Sequence, residues 1–291
     1  MKYQIAQNSL TGARSSNQDR ALVLESDHAV MIAVADGLGG HAGGALAAET
    51  FAKAAAQAFR AQHGPRIERP IAFLAATIEQ AHRAIVLAGR SQNPPITPRT
   101  TCVLALIQDG VAAWAHVGDS RLYHFRGAQL LTRTVDHSTT EEMRKAGLIA
   151  EDEDAPRAIK NKLTNCLGAP HAPEASFGHE TALENGDILL LCSDGLWQAF
   201  SPDDIGDYLA RVSLEEGLDD MLDDAERKMQ RRCDNLTAIA LRWEDRRGER
   251  VSLRRIRRQP PPATPGSGPA QPLDAELQEI EQLLNRFNMR R

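Results

Sequence analysis

Cysteine is scarce in this chain, and its four copies, Cys102, Cys166, Cys192 and Cys233, never form a CxxC pair. That spacing points to neither a zinc site nor a disulfide framework, and Cys102 and Cys192, set in apolar runs, read as buried thiols. No apolar run approaches the roughly 18 residues needed to cross a bilayer. The first ten residues, MKYQIAQNSL, lack the apolar core of a signal peptide. No membrane span and a cytoplasmic location are the expectations. An excess of positive charge is also missing: the net charge is -5 and the pI near 6.0, so no whole-chain signature of nucleic-acid binding is present. The remaining composition, 42% apolar and 25% charged over 291 residues, suits one or two globular domains.

What is present centres on residues 29–44, AVMIAVADGLGGHAGG. The apolar run at 29–35 is too short for a typical helix and suits a buried strand. It stops on Asp36, followed by a glycine-rich turn and then by an alanine-rich segment of high helix propensity. Three chemistries fit an acid at that position. Gly37, Gly39 and Gly43 could form a dinucleotide loop at a helix N-terminus. Asp36 with the Gly37 carbonyl could grip a hard cation. Asp36 could also simply cap the helix. Against the first, Asp36 would face the pyrophosphate with like charge, and two helices follow where a second acid-ended strand is required.

Strands are expected at 3–10 and 20–25, around a polar loop holding Arg14 and Asp19. Two helical segments, about 41–62 and 67–89, carry apolar residues at helical spacing. A Pro-rich loop at 93–98 leads into the apolar TTCVLALI. Strands with turns at Gly118–Asp119 and Gly127 fill 111–131. His137 stands in a turn before a short helix, where Ser138 and Glu141 are spaced as a capping box. A polar excursion then runs to about 160. The run DILLLCSDGLW ends a second apolar strand on Asp194–Gly195. Helices capped by Ser201–Pro202 and by Ser213 with Glu216 come next, and Cys233–Asp234–Asn235 opens a last strand, LTAIALRW.

After about 245 the composition changes. Residues 246–258 are strongly basic and 259–272 form a Pro/Gly/Ser linker. The segment 273–291 has an apolar seam (Leu273, Leu277, Ile280, Leu284, Phe287) in alternating four- and three-residue steps. The organisation expected is therefore a main domain at 1–245, a linker at 246–272 and an amphipathic helix at 273–291, which needs a partner or its own domain to lie on. The basic run reads as a solvated tether, since no aromatic residues interleave with its arginines.

Asp36, Asp119, Asp194 and Asp234 share a context, each standing where an apolar strand ends or begins. Carboxylates gathered at one edge of a core repel and are costly to desolvate, a conflict that divalent cations relieve. With oxygen donors and no His/Cys set, the ions expected are Mg²⁺ or Mn²⁺.

RSSNQD at 14–19, DGLGGHAGG at 36–44, HVGDSR at 116–121, LTNCLG at 163–168, SDGLW at 193–197 and DNLT at 234–237 occur in that order. As an ordered set, spanning about residues 3–243, they resemble the metal-dependent type 2C (PPM) serine/threonine protein phosphatases of bacterial type. The resemblance implies an α+β fold, a four-layer αββα sandwich of two mainly antiparallel sheets flanked by helices. It implies that Asp36 bridges two Mn²⁺ or Mg²⁺ ions, with the Gly37 carbonyl on the second and Asp194 and Asp234 on the first. Asp119 matches an acid that, with Asp194, holds a third and weaker ion, and Asp19 one that supports the cluster. Arg14 matches the arginine that receives the substrate phosphate, and His41 the histidine near the leaving group. Asn235 is expected just behind the metal ligands. The implied activity is direct hydrolysis of phosphoserine and phosphothreonine in proteins by metal-activated water, opposing a Ser/Thr kinase or acting on its targets. The excursion at about 139–160 matches the family's flap. A phosphatase fold used only as a docking module, with the C-terminal helix recruiting a partner, is the alternative. The chain departs from the family at Gln18, where Glu is common, at TTCV, which lacks a preceding Gly, and at Asn165–Cys166, which replaces a frequent Arg-Ala.

Overall fold

An apolar run buried on both faces needs a packed layer on each side, and the strand at Ala29–Ala35 has both. The computed structural model describes residues 1–38, 42–62, 64, 66–150, 162–211 and 213–244. His41, most of the second half of the polar excursion, and the expected linker and C-terminal helix lie outside the described residues. In chain order the elements are β1 (Tyr3–Leu10), β2 (Arg20–Glu25), β3 (Ala29–Ala35), β4 (Gly37–Leu38), α1 (Ala42–Arg60), α2 (Pro70–Arg90), β5 (Arg99–Thr100), β6 (Cys102–Gln108), β7 (Val111–Val117), β8 (Arg121–Arg126) and β9 (Gln129–Arg133). Then come α3 (Thr139–Lys145), β10 (Ser176–Phe177), β11 (Thr181–Ala182), β12 (Asp187–Cys192), α4 (Asp194–Trp197), α5 (Pro202–Leu209), α6 (Leu214–Met229) and β13 (Leu236–Trp243).

One sheet has the order β1-β13-β12-β8-β9. The other runs β10-β7-β6-β3-β2, with β11 also on β7, and β4 pairs with β5 in a small ribbon. The pairings between these strands are antiparallel. Alternation along each strand divides the core into three sets. Val30, Ile32 and Val34 of β3 meet Leu189, Leu191, Ile239 and Leu241 between the sheets. Met31, Ala33 and Ala35 point the other way, toward Phe51 and Ala55 of α1 and Leu74 and Ile78 of α2. Across the second sheet Leu190, Cys192 and Ala238 pack on Leu218, Met221 and Leu222 of α6. The result is the αββα sandwich.

Two sequence expectations are refined. By length and composition α2 is apolar enough to cross a bilayer. Here it lays one face on the core, burying Leu74, Ile78, Ala81 and Ile85. The reciprocal capping box forms at Ser201, whose N–H is accepted by Asp204. At Ser138 and Ser213 only the forward bond forms, from the N–H of Glu141 and Glu216 to the serine oxygen. Glu141 instead holds Arg144. All four cysteines are buried and free.

One ion cluster is built on a buried carboxylate and a buried histidine, Asp187 and His124, with the half-exposed Arg126 reaching in from the edge. The Asp187 carboxylate accepts from Arg126 Nε (2.8 Å) and a second guanidinium nitrogen (2.9 Å), from the buried His124 Nε2 (3.0 Å) and from the Glu184 N–H (2.9 Å). Burial pushes this carboxyl up, but the Arg126, His124 and Glu184 bonds outweigh it and hold it well below the usual range. Asp187→Ala should cost about 3 kcal/mol in urea unfolding at pH 7, because it leaves the buried His124 without its partner. A folded-state value below the unfolded one, near 3.9, gives stability that is present above about pH 4 and lost as pH falls further. The difference between wild type and Asp187→Asn should therefore shrink below pH 4; a constant gap from pH 7 to 3 contradicts the assignment.

Candidate active site

Strand register decides where the acids go. Arg20 pairs with Ala35, Val34 with Val103, Cys102 with Val117, Cys192 with both Arg121 and Ala238, and Leu10 with Leu236. The entry to β2, the exit of β3, the β7–β8 turn, the exit of β12 and the entry to β13 thus lie at one end of the sandwich. Asp19, Asp36, Asp119, Asp194 and Asp234 occupy these five places. A cleft of about 270 Å³ opens there, lined by Arg14, Gln18, Asp36, Gly37, Asp194 and Asp234 among others.

Hydrogen bonds to backbone and side chains tie the acid-bearing segments together. Asp36 donates its N–H to Thr101 Oγ1 (3.1 Å), and its carbonyl accepts from Thr101 N (2.9 Å) and Thr100 Oγ1 (2.8 Å). Thr101 Oγ1 also meets Ser120 Oγ at 2.7 Å, which joins the Asp36 and Asp119 segments. The Asp119 carbonyl accepts from Trp197 Nε1 (2.9 Å), three residues beyond Asp194. Arg121 stacks over that indole at 3.6 Å and forms a bidentate pair with buried Asp136. Asp19 accepts from Ser193 Oγ (2.7 Å). Asn235 does more than stand behind Asp234: its side chain accepts from Gln18 N and donates to the Thr11 and Ser16 carbonyls, stapling the whole Arg14 loop to β13. Gly12 (φ +61°) allows that loop to close, since a Cβ there would lie 2.2 Å from the Asp234 carbonyl oxygen.

The electrostatics are those of crowded acids. Burial, then repulsion from Asp19, Asp194, Asp119 and Asp234, pushes the Asp36 carboxyl far above the usual range. Burial and then Asp194 do the same to Asp119. Asp194 rises to about 7, through burial and then Asp234 and Asp19. Asp19 rises to about 6, where burial outweighs the Ser193 and Thr237 bonds. One oxygen of Asp19 and one of Asp194 are buried with no hydrogen-bond partner. Arg14 is the cation in contact, its Nε on one Asp234 oxygen (2.8 Å) and a terminal nitrogen on the other (2.5 Å).

As the side chains stand, no three acidic, histidine or cysteine groups among the described residues enclose an ion. The donor set still suits a hard divalent cation: all oxygens, two of them buried and unpartnered, with protonation favoured in place of charge. Asp19, Asp36, Asp119, Asp194, Asp234 and the Gly37 backbone are brought together; His41 lies outside the described residues. Sequence reasoning missed Thr101, Ser193, Arg121 and Trp197. Two of these flank Asp194 within SDGLW, and Thr101 stands in TTCV, so the signal was adjacency to a motif rather than a pattern of their own.

A family model described as protein phosphatase 2C matches residues 7–230. The chain is 32% identical to a protein phosphatase 2C-type protein of Streptococcus pyogenes, over 78% of this chain and 92% of that protein. Among solved structures, the S. agalactiae serine/threonine phosphatase is similar at a TM-score of 0.76 and 29% identity, covering 84% of this chain and 100% of that one. The catalytic domain of the phosphatase PstP, in complex with two manganese ions, is similar at 0.68 and 26%, covering 84% and 99%.

Raised carboxyl pKa values fix a sign. Folded-state values near 6 and 7, against about 3.9 unfolded, mean that this stability is present at low pH and lost as pH rises through 6 to 7. With metal chelated, Tm should therefore fall between pH 5 and 8. Saturating Mn²⁺ at pH 8 should raise it by about 5 °C or more, and Asp194→Asn should remove most of both effects. A chelated protein whose Tm is flat or rises from pH 5 to 8 contradicts the crowding.

Proposed function

Because the chain belongs to the protein phosphatase 2C family, and is a serine/threonine protein phosphatase by that membership, we propose that it hydrolyses phosphoserine and phosphothreonine in proteins by direct attack of water with two Mn²⁺ or Mg²⁺ ions at the acid cluster. The observation that carries this reading is the crowding of Asp19, Asp36, Asp119, Asp194 and Asp234 at one cleft, where burial and then the other four acids push Asp36 far above the usual carboxyl range. The manganese-bound PstP relative supports it. Asp36, Asp194 and Asp234 would hold one ion, Asp36 and the Gly37 carbonyl a second, and Asp119 with Asp194 a third. When bound, such ions supply Lewis acidity toward the phosphoryl group and toward water.

The chain's own residues do the positioning. Gly37 brings its backbone against Gly44 so closely that a Cβ would lie 2.5 Å from the Gly44 carbonyl, which leaves its own carbonyl free of side-chain bulk. Arg14 presents a planar fork whose two nitrogens now match a carboxylate, the geometry that also fits two phosphoryl oxygens. Substrate phosphate thus competes with Asp234 for the guanidinium, and cations compete with Arg14 for Asp234. The two exchanges favour each other. Thr100, Thr101 and Ser193 fix the acids so that little reorganisation is needed as charge develops. His41 is proposed to protonate the departing seryl or threonyl oxygen.

In this reading the enzyme opposes a Ser/Thr kinase in the cytoplasm, with the main domain ending near 245. The apolar seam at 273–291 supports an added docking role, and deleting 259–291 should weaken partner capture while leaving turnover of a small phosphopeptide intact.

Phosphate release from a phosphothreonine peptide should require Mn²⁺ or Mg²⁺ and stop with EDTA. Asp36→Asn should lower kcat by about 10²- to 10³-fold. Arg14→Ala should raise KM for the peptide roughly tenfold or more while lowering the Mn²⁺ concentration for half-maximal rate, since Asp234 is released. Metal-independent release, or an undiminished Asp36→Asn, counts against the mechanism; an Arg14→Ala enzyme needing more Mn²⁺ counts against the exchange.

A further inference from the structure

The residue before Asp119 is held unusually firmly. Gly118 sits at φ +102°, with the Thr101 methyl so near that a Cβ would lie 2.6 Å from it. Both of its backbone groups go to a single residue, His137. The His137 N–H donates to the Gly118 carbonyl (2.9 Å), and the Gly118 N–H donates to His137 Nδ1 (3.2 Å). Asn165 Nδ2 also points at that Nδ1, at 3.1 Å. Two donors on one ring nitrogen leave no room for a proton there, so the neutral ring carries its hydrogen on Nε2 and donates to Ser176 Oγ (2.9 Å).

The ring is fixed from other sides as well. His116 stacks on it with centroids 4.7 Å apart, and His116 is itself anchored by Nε2 on the Val135 carbonyl (2.8 Å). The His137 carbonyl accepts from Thr164 N (3.0 Å), and Asn165 Nδ2 also bonds the Glu174 carbonyl (2.6 Å). His137 therefore gathers the β7–β8 turn, the 164–165 segment and β10 at one point. On the far side of the turn Trp197 holds the Asp119 carbonyl. The Asp119 peptide is clamped fore and aft, which is more than a turn between antiparallel strands needs.

We propose that His137 is a positioning residue for Asp119: its Nε2–H tautomer clamps the Gly118 peptide through Nδ1 and so fixes the carboxylate of Asp119 for a divalent cation. This rests on the reading of Asp119 as a cation ligand. His137 touches neither substrate nor ion; it acts through the turn. The Nδ1 contact sets the turn, and the Ser176 contact only orients the ring.

The two ring nitrogens can be separated by substitution in the full chain. In His137→Asn the amide oxygen falls near Nδ1 and keeps an acceptor for Gly118. In His137→Gln the amide reaches the Nε2 position and keeps only the Ser176 bond. Mn²⁺ binding is followed by titration calorimetry, and hydrogen exchange at the Gly118 amide by NMR, with Asp119→Asn as reference. The binding event that Asp119→Asn abolishes should weaken about 10- to 100-fold in His137→Ala and His137→Gln, with faster Gly118 exchange, and both should recover in His137→Asn. Wild-type Mn²⁺ binding in His137→Ala, or recovery in the Gln variant and not in the Asn variant, overturns the proposal alone. If Asp119→Asn itself binds Mn²⁺ as wild type does, the ligand role of Asp119 fails and the proposal falls with it.

Discussion

Repulsion among carboxylates that the fold forces together is the constraint on which the rest of the structure depends. Asp19, Asp36, Asp119 and Asp194, with Asp234 beside them, cannot all be charged at one end of a two-sheet sandwich without compensation. The surrounding framework makes that crowding tolerable without letting the acids move apart. Thr101 ties Asp36 to the Asp119 turn, Trp197 ties that turn to the helix carrying Asp194, and Asn235 ties the Arg14 loop to Asp234. The hydrophobic layers supply rigidity. Three apolar sets, one between the sheets and one beneath each helical layer, hold the strand ends in register.

The Arg14–Asp234 pair carries the proposed mechanism furthest. A guanidinium fork that now matches a carboxylate has the geometry to match a phosphoryl group as well. On that proposal a cation arriving at Asp234 would free Arg14, and a phosphate arriving at Arg14 would free Asp234. Substrate and metal binding would then be linked through one contact, with the favour mutual.

Much of this was legible in the chain. The seven-residue run at Ala29–Ala35 suits a buried strand and is one residue for residue, whereas the strand expected to close on Asp194–Gly195 stops at Cys192, because Asp194–Trp197 turns into a short helix. The acids at their ends announced a site because nothing local explains an Asp repeatedly closing an apolar strand. The ordered motifs then placed that site in a known family and with it the sandwich. Short elements were not legible. The two-residue strands β4, β5, β10 and β11 carry too little pattern to register. Capping spacing was legible but its outcome was not, because Arg144 competes for the Glu141 carboxylate. The long-range contacts were not legible as contacts: the motifs put Arg14 and Asp234, 220 positions apart, at one site but not in one ion pair, and nothing announced that His137 joins the β7–β8 turn to the 164–165 segment and β10. Periodicity reports which face is buried; it is silent on which polar atoms meet.

The most direct measurement is a crystal structure of the full chain soaked in Mn²⁺, with anomalous scattering recorded at the manganese edge. The account predicts two strong anomalous peaks bridged by Asp36, with Asp194 and Asp234 on one and the Gly37 carbonyl beside the other, and Arg14 swung away from Asp234. An intact Arg14–Asp234 pair at saturating Mn²⁺, with no peak within ligand reach of Asp36, would contradict it.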